Sequence, residues 1–414
     1  MRILFQTDID FNRKPPSNFL EFHHDVGGNT GNLMFANALQ HALSFHDTLV
    51  QRLEWSEIPK FVQEEEVDLV VINCANWLRP RYVNFLSELN LAIGKIETPV
   101  IMIGLGANVS LADYKAESYE KLQILDKVVK ELIANIERTK GRIGVRGKFT
   151  LGYFEHLGGS DNVVLTGCPS VLQFPDLNVG LLNERSKVDR GIVGYSHNII
   201  LNAIENNGLS KSDYFICQDW AAKFLLFPEE LTRSDVRRIL ALDSHIIELF
   251  RDRRVKVFTG IGGWLHWVSR RINCHVGGRI HGGLLALHAG IPSLFYRHDS
   301  RLAEFIDLYK LPFFDEVNNL EAKTEILPGH DWSTTSTRLK EMKDKIINIF
   351  SEFGVDLNST ERPIEERLLI EESGALSKAL SARWLWLSML RFKFYRLLVS
   401  FLVYHRLQTF VEEE

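Results

Sequence analysis

The chain has 414 residues, of which 45% are hydrophobic and 24% charged, and its formal net charge at pH 7 is −5. This length predicts more than one domain, the composition is that of a soluble globular protein, and the net charge excludes the broad basic footprint of a nucleic-acid-binding protein. The four cysteines are scattered without a Cys-x-x-Cys pair, which argues against a zinc knuckle or a secreted disulfide scaffold.

Short apolar runs alternate with helical patterns through the first part of the chain. The predicted strands are residues 3–5, 69–72, 100–103, 143–145 and 163–165, and the predicted helices between them are residues 32–43, 79–93, 118–138 and 148–156. Such an alternation predicts βαβ units, and therefore a mostly parallel sheet. Residues 1–178 are predicted to form a Rossmann-like domain. Because polar residues directly follow the first apolar run, no signal peptide is predicted and a cytoplasmic location is expected.

A glycine-rich loop precedes the helix predicted at residues 32–43. In this loop Asn29, Thr30 and Asn32 alternate with glycines, which leave backbone N–H groups accessible. The loop suits a hydroxylated or phosphorylated ligand, with capping of the helix by Asn or Thr as the alternative interpretation. It lacks the Lys-Ser/Thr of a P-loop, which argues against nucleoside triphosphate hydrolysis.

Arg146 lies at the end of the strand predicted at residues 143–145. Ligands bind at the carboxyl ends of strands in parallel sheets, so this guanidinium is a candidate for binding an anion. A surface ion pair is the alternative role for Arg146.

A turn-rich, charged passage at residues 174–190 is the predicted linker to a second domain, residues 190–330. Strands are predicted there at residues 191–195, 214–217, 255–259, 274–276 and 293–296, with helices at residues 233–252 and 264–271. The sequence therefore predicts an α/β protein with two Rossmann-like domains that face a cleft, the GT-B-like architecture.

The most informative stretch is GGRIHGG at residues 277–283, between a predicted strand and an apolar predicted helix. Arg279 offers a bidentate donor for phosphate or carboxylate, and the amides of Gly282 and Gly283 at the helix start would add to such an anion site. His281 is a candidate proton carrier, because imidazole titrates near neutral pH. Glycines that only serve the turn and a histidine that only packs are the alternative.

Residues 331–414 are predicted as a helical C-terminal segment. From about Gly374 onward, Trp, Tyr and Phe are interleaved with Arg and Lys. The repeated cations argue against a membrane-spanning helix, whereas the mixture of aromatic and cationic residues suits a membrane interface. Two alternatives stay open: peripheral contact with the inner face of the membrane, and a helix that packs on the protein itself.

The fragments GNTGN (28–32), GLG (104–106), GVR (144–146), TGCPS (166–170) and RIHG (279–282) together resemble the polysaccharide pyruvyl transferase family. The resemblance implies a GT-B-like fold and phosphoenolpyruvate as donor. It implies formation of a pyruvate ketal on a sugar of a cell-surface polysaccharide or of its lipid-linked precursor. No metal and no cofactor are predicted, and the expected partners are phosphoenolpyruvate and the saccharide acceptor.

The resemblance also assigns roles to the candidate residues. His281 becomes the expected general acid or base. The expected donor-binding residues are Arg279, Arg146, Ile280, Gly282 and Gly283. The expected acceptor-binding residues are Asn29, Thr30 and Asn32.

Two positions depart from the family pattern. Family members often carry Glu after the strand-end Arg, where this chain has Gly147, and Asp before the Pro, where it has Cys168. These departures predict either different acceptor chemistry or impaired activity. The competing hypotheses are a GT-B glycosyltransferase that uses a sugar nucleotide and a non-catalytic glycan-binding protein.

Overall fold

Two parallel sheets organise the chain. The structure is a computed structural model that describes residues 1–7, 9, 17–159, 161–173, 176–187, 191–196, 210–218, 223–227, 230, 232, 249, 254–316 and 324–357. Within these residues each sheet has six strands, and every strand pair is parallel. The predicted α/β fold, with two Rossmann-like domains facing a cleft in a GT-B-like arrangement, is confirmed.

The N-terminal domain is built on the strand order β2-β1-β3-β4-β5-β6. Its strands are β1 (Arg2–Gln6), β2 (Asp47–Gln51), β3 (Leu69–Asn73), β4 (Val100–Leu105), β5 (Arg142–Val145) and β6 (Val163–Leu165). Its helices are α1 (Phe19–Asp25), α2 (Asn32–Leu43), α3 (Ile58–Glu64), α4 (Val83–Ile93), α5 (Leu111–Lys115), α6 (Asp126–Arg138) and α7 (Lys148–His156). Every residue of β3 and β4 is buried, because helices cover both faces of the sheet.

Most predicted elements of this domain are present. Helices α2 and α7 have the predicted bounds, whereas α4 and α6 begin later than predicted. Each of these two follows a 3-10 helix, Pro80–Tyr82 before α4 and Glu120–Leu125 before α6. A 3-10 turn has nearly the residue spacing of an α-helical turn, so the pattern of the sequence alone does not locate the start of the α-helix.

The C-terminal domain has the strand order β12-β11-β10-β7-β8-β9, a doubly wound Rossmann order. Its strands are β7 (Val193–Ser196), β8 (Tyr214–Cys217), β9 (Val255–Val257), β10 (Cys274–Gly277), β11 (Ser293–Tyr296) and β12 (Phe313–Phe314). The remaining helices are α8 (Val179–Ser186), α9 (Lys223–Leu226), α10 (Ile261–Arg271), α11 (Ile280–His288), α12 (Ser300–Tyr309) and α13 (Trp332–Glu352). Apart from Leu249, the helix predicted at residues 233–252 lies outside the described residues.

Helices α8 and α13 connect the two domains. Helix α8 occupies the passage predicted as a linker and begins at an Asn178 cap, whose side chain accepts from the Leu181 N–H at 3.0 Å. At the start of α13, the buried Trp332 indole donates to Ser186 Oγ at 3.0 Å. At its end, Glu352 pairs with Arg142 in β5 at 2.8 Å. Helix α13 therefore returns the chain to the N-terminal domain.

The aromatic tail from Gly374 onward, with its predicted membrane contact, lies outside the described residues. Among the helices that the structure does describe, none has the length and apolar character needed to cross a bilayer.

The strand order of each sheet reverses at one point. The reversal lies between β1 and β3 in the first sheet and between β7 and β10 in the second. Open α/β sheets bind ligands outside the carboxyl ends of the strands at such points. Ile9 beyond β1, Asn73 at the end of β3 and Gly278 after β10 all line one cavity. The two reversal points therefore face the same cleft.

Candidate functional site in the interdomain cleft

The cleft holds a cavity of about 470 Å³ that residues from both domains line. Among the described lining residues there are five arginines and a single carboxylate, that of Asp299. The arginines are Arg79, Arg81, Arg146, Arg279 and Arg301. Such an excess of positive charge between low-dielectric walls favours binding of a multiply charged anion.

The structure brings most of the predicted site residues to this cavity. Its walls include six of them: Arg146, Arg279, Ile280, His281, Asn29 and Asn32. Thr30, Gly282 and Gly283 are buried and are not among the lining residues. Arg146 of the N-terminal domain and Arg279 of the C-terminal domain are about 130 residues apart in sequence and line the same cavity. This placement agrees with the rule that open α/β sheets bind ligands at the carboxyl ends of their strands.

Arg146 directly follows β5 and is only 3% exposed. Its Nη1 donates to Asn76 Oδ1 at 3.4 Å and its Nη2 to the Cys74 carbonyl at 3.2 Å, while the guanidinium lies 5.1 Å from the Phe35 ring centroid. Arg146 Nε has no hydrogen-bond partner among the described residues. A buried guanidinium held by two long hydrogen bonds retains donors for an anionic ligand.

His281 is the second residue of α11 and is 7% exposed. Its Nε2 lies 3.4 Å from Cys168 Sγ, and its ring packs on Phe35 with 5.3 Å between centroids. Burial, with the positive charge of Arg146 acting in the same direction, lowers the pKa of His281 to about 3. The imidazole is therefore neutral at neutral pH, and while no anion is bound it is a weak base. An anion bound beside it and Arg146 would raise this pKa.

The structure gives Gly147 a clear role. It is the N-cap of α7, and a Cβ added there would lie 2.5 Å from Cβ of Glu304 and 2.6 Å from Glu304 Oε1. Glu304 belongs to α12 of the other domain and accepts hydrogen bonds from Thr150 N at 2.6 Å and Thr150 Oγ1 at 2.9 Å. A carboxylate from the C-terminal domain therefore fills the space that a side chain at position 147 would need.

Glu304 itself is almost fully enclosed, at 2% exposure. Burial raises the pKa of its carboxyl group to about 7, although the hydrogen bonds from Thr150 and the charge of Arg146 act in the opposite direction. This carboxyl group changes charge near neutral pH at the junction of the two domains.

The loop before α2 is fixed by its own hydrogen bonds. Asn29 Oδ1 accepts from the Gly31 N–H at 2.7 Å, and Asn32 Nδ2 donates to the Gly27 carbonyl at 2.7 Å. The Thr30 N–H donates to the Gln218 carbonyl at 2.9 Å, which ties the loop to the end of β8 in the other domain. Helix α2 begins after Gly31 without a side-chain cap, so helix capping does not explain these residues.

The glycines after His281 allow close packing of α11. A Cβ on Gly282 would lie 2.5 Å from Gln218 Nε2, and one on Gly283 would overlap the Phe295 ring. The Gly283 N–H donates to the Arg279 carbonyl at 3.2 Å, within the first turn. That amide is engaged in the helix, and a role of Gly282 and Gly283 in donor binding stays a prediction.

Sequence reasoning missed the remaining arginines of the cavity. Arg79 and Arg81 flank Pro80 after β3, and Arg301 lies two residues beyond Asp299 after β11. Each lies beyond the carboxyl end of a strand. The sequence therefore contained a signal for these arginines, because a position beyond the carboxyl end of a strand was also the reason for selecting Arg146.

Two facing Rossmann-like domains with an arginine-rich cleft between them define a GT-B-like protein. The family profile of polysaccharide pyruvyl transferases matches residues 29–300, and these residues contain the cleft motifs described above. The chain belongs to the polysaccharide pyruvyl transferase family and is accordingly a transferase. The resemblance noted in the sequence is confirmed.

Solved structures with a similar chain trace share little sequence with this protein. Staphylococcus aureus MnaA, solved with UDP, is 12% identical, with a TM-score of 0.44 over 88% of this chain and 99% of its own. The UDP-GlcNAc 2-epimerase of Methanocaldococcus jannaschii is 11% identical, with a TM-score of 0.43 over 83% of this chain and 99% of its own. No curated protein matches the chain.

Proposed function

We propose that this protein transfers a pyruvyl group from phosphoenolpyruvate to a sugar of a cell-surface polysaccharide or its lipid-linked precursor, forming a pyruvate ketal and releasing phosphate. The observation that carries the proposal is the meeting of Arg146, Arg279 and His281 in one cavity of about 470 Å³. Family membership supports the reaction class. The cavity supplies positive charge for a donor that carries a phosphate and a carboxylate.

The donor site consists of Arg146 and Arg279, with Ile280 on the wall between Arg279 and His281. A guanidinium binds a carboxylate or phosphate through two parallel hydrogen bonds, and the low exposure of Arg146 strengthens its attraction to the anion. The two cations come from opposite domains, so a dianionic donor would bridge the cleft. Asn29 and Asn32 face the same cavity and form the acceptor side.

The proposed reaction moves two protons. One acceptor hydroxyl attacks C2 of phosphoenolpyruvate as C3 gains a proton and becomes a methyl group. Cleavage of the C2–O bond then releases phosphate, and the second hydroxyl closes the ketal. The proton that C3 gains is balanced by the proton that the first hydroxyl loses. The proton of the second hydroxyl leaves with the phosphate. His281 is neutral before the donor binds. The rise in its pKa on binding of the anionic donor would let it take the hydroxyl proton and pass it to C3.

The reaction is proposed to take place in the cytoplasm. All four cysteines lie within the described residues, are buried and form no disulfide, as is usual in a reducing compartment. Contact of the C-terminal segment with the inner face of the membrane is part of this proposal. Deletion of the chain from Gly374 onward tests this membrane contact. Unchanged partitioning between the membrane and soluble fractions would exclude it.

The test of the donor is thermal stability of the purified protein with phosphoenolpyruvate. A ligand at 100 times its Kd that binds only the native state adds about 2.7 kcal/mol, which raises the melting temperature by several degrees. This shift should disappear in Arg279→Ala and persist in Arg338→Ala, an exposed arginine on α13. A chain that phosphoenolpyruvate does not stabilise would contradict the donor assignment.

The competing function is glycosyl transfer from a sugar nucleotide. The same excess of arginine over carboxylate would accept a diphosphate. A panel of nucleotide sugars in the same stability assay separates the two functions. Stabilisation by a nucleotide sugar and not by phosphoenolpyruvate would favour glycosyl transfer. A protein that binds glycan in both Arg279→Ala and His281→Ala, and that neither donor stabilises, would be a non-catalytic binder.

A further inference from the structure

Three arginines of the cavity form a group that the proposed donor site does not use. We call Arg79, Arg81 and Arg301 the outer arginine cluster. Arg79 and Arg81 belong to the N-terminal domain, where they flank Pro80 after β3, and Arg301 lies in the first turn of α12 in the C-terminal domain. The cluster is therefore assembled from both sides of the cleft, as the donor site is.

Among the residues that the structure describes, the outer arginine cluster carries more positive charge than its neighbours balance. Asp299 is the carboxylate beside it, and this side chain also caps α12 by accepting from the Leu302 N–H at 3.0 Å. Its other oxygen pairs with Arg301. In the described lining of the cavity, one carboxylate, already engaged in a helix cap and an ion pair, therefore faces three guanidinium groups. A bound anion would relieve the remaining repulsion between the cations.

Arg79 experiences this repulsion most directly. Burial lowers its pKa to about 10, and the charges of Arg301 and Arg81 act in the same direction, while Tyr82 and Asp299 oppose them. The guanidinium groups of Arg79 and Arg81 lie 5.3 and 5.1 Å from the Tyr82 ring centroid. The ring restricts both side chains, which lowers the entropy lost when they bind a ligand.

Asn76 separates the outer cluster from the donor site. Its side-chain oxygen accepts from Arg146 Nη1 at 3.4 Å, and its backbone carbonyl accepts from Arg79 Nε at 2.6 Å. The two groups of cations also act on different side chains. Beyond the effect of burial, the charge of Arg146 lowers the pKa of His281, whereas the charges of Arg301 and Arg81 lower the pKa of Arg79. The cavity therefore contains two cationic subsites side by side, both open to the same space.

We propose that the outer arginine cluster binds a phosphate or diphosphate group on the acceptor, so that the protein acts on a phosphorylated saccharide and not on a neutral glycan. This inference rests on the proposed function, in which Arg146 and Arg279 hold the donor. A phosphate held beside Asn76 would place the attached sugar in the cavity next to the donor. A soluble sugar phosphate and a lipid-linked diphosphate saccharide share this chemistry.

Inorganic pyrophosphate is the probe for the outer cluster. It is titrated calorimetrically into the protein in the absence of phosphoenolpyruvate and at saturating phosphoenolpyruvate. The variants are Arg79→Gln and Arg81→Gln, and the matched control is Arg338→Gln, which removes an exposed ion pair with Glu341 on α13. Arg81 is exposed, so its substitution tests the cluster even where loss of the half-buried Arg79 impairs folding. Circular dichroism and melting curves establish that each variant is folded.

The expected result is that pyrophosphate binds the phosphoenolpyruvate-saturated protein. Its Kd should rise about tenfold or more in Arg79→Gln and in Arg81→Gln, since each loses a charge-assisted contact. The Kd of the control should be unchanged. Competition between pyrophosphate and phosphoenolpyruvate, or wild-type affinity in both variants, would overturn the inference.

The same titrations separate failure of this inference from failure of the proposed function. If phosphoenolpyruvate does not bind wild-type protein but pyrophosphate binding still requires Arg79, the donor assignment fails and the outer phosphate site stands. If phosphoenolpyruvate binding depends on Arg79 and not on Arg279, the outer cluster is the donor site and the inference fails. Tighter binding of farnesyl diphosphate than of pyrophosphate would assign the site to a lipid-linked acceptor, since both probes carry a diphosphate and one of them a lipid; tighter binding of glucose 1-phosphate than of inorganic phosphate would assign it to a soluble sugar phosphate.

Discussion

Replacement of Glu304 by Gln should remove a pH dependence from the stability of this protein. Glu304 of α12 bonds to Thr150 at the start of α7, and so joins the two domains through a carboxyl group that is 2% exposed. A glutamine amide keeps an oxygen that can accept from the Thr150 N–H. The substitution therefore removes the ionisation of the side chain while it preserves the size and the main contact.

The magnitude follows from the raised pKa of Glu304. Its pKa is about 7 in the folded protein, against an ordinary value of 4.5. Between these values the folded state holds a proton that the unfolded state has lost, so stability is greatest below pH 4.5 and falls as the pH rises to about 7. At about 1.4 kcal/mol per pKa unit, the total loss is on the order of 3 kcal/mol. This corresponds to roughly 5–10 °C in melting temperature for a domain of this size.

The assay is the melting temperature of wild type and Glu304→Gln at half-unit steps from pH 5 to pH 8. The two proteins should melt at similar temperatures near pH 5, and the variant should melt several degrees higher at pH 8. Glu341→Gln, which changes an exposed glutamate on α13, should follow wild type throughout. Parallel curves for wild type and Glu304→Gln across the whole range would refute the reasoning.

Three further substitutions test the contacts around His281 and between the domains. Cys168→Asp should raise the pKa of His281 from about 3 by about 3.5 units, because a carboxylate at the present 3.4 Å spacing attracts an imidazolium by about 5 kcal/mol at a dielectric of 20. NMR titration of the imidazole measures this shift, and an unshifted titration would contradict the prediction. In denaturant unfolding, Gly147→Ala should destabilise the protein by about 1–3 kcal/mol more than Gly260→Ala, because both glycines are helix N-caps but a Cβ at Gly260 meets no atom within 4 Å. Tyr309→Phe should lower the free energy of unfolding by about 1–3 kcal/mol, since the buried Cys168 N–H loses its 2.9 Å hydrogen bond. A melting temperature equal to that of wild type would exclude this loss.

The fold was predictable where burial on both faces leaves a continuous apolar run. Strands β3 and β4, in which every residue is buried, were predicted to within two residues of their observed ends for this reason, since parallel strands covered by helices contain few polar residues. Strand β2 was missed because Asp47–Gln51 lies at the edge of its sheet, is only half-buried and has a mixed sequence. Helix α8 was interpreted as linker because its pattern is short and its neighbours are charged.

The site was predictable only one domain at a time. Arg146 and Arg279 were found because each follows a strand and adjoins glycines, a pattern visible within a few residues. The outer arginine cluster depends on how the domains face each other, since Arg79 and Arg301 approach only across the cleft. The pKa of His281 was also inaccessible to sequence reasoning, because its neutral state results from burial beside Arg146.

The two departures from the family pattern now have structural counterparts in the C-terminal domain. Gly147 leaves room for Glu304, and Cys168 contacts His281 through its thiol and Tyr309 through its backbone N–H. A buried cation without a ligand destabilises the fold, because the loss of its hydration is not compensated. Arg146 is such a cation, at 3% exposure, and four more accessible arginines surround the same open cavity. An anionic ligand would compensate the cost of burying Arg146, which favours the proposed donor site over a non-catalytic remnant.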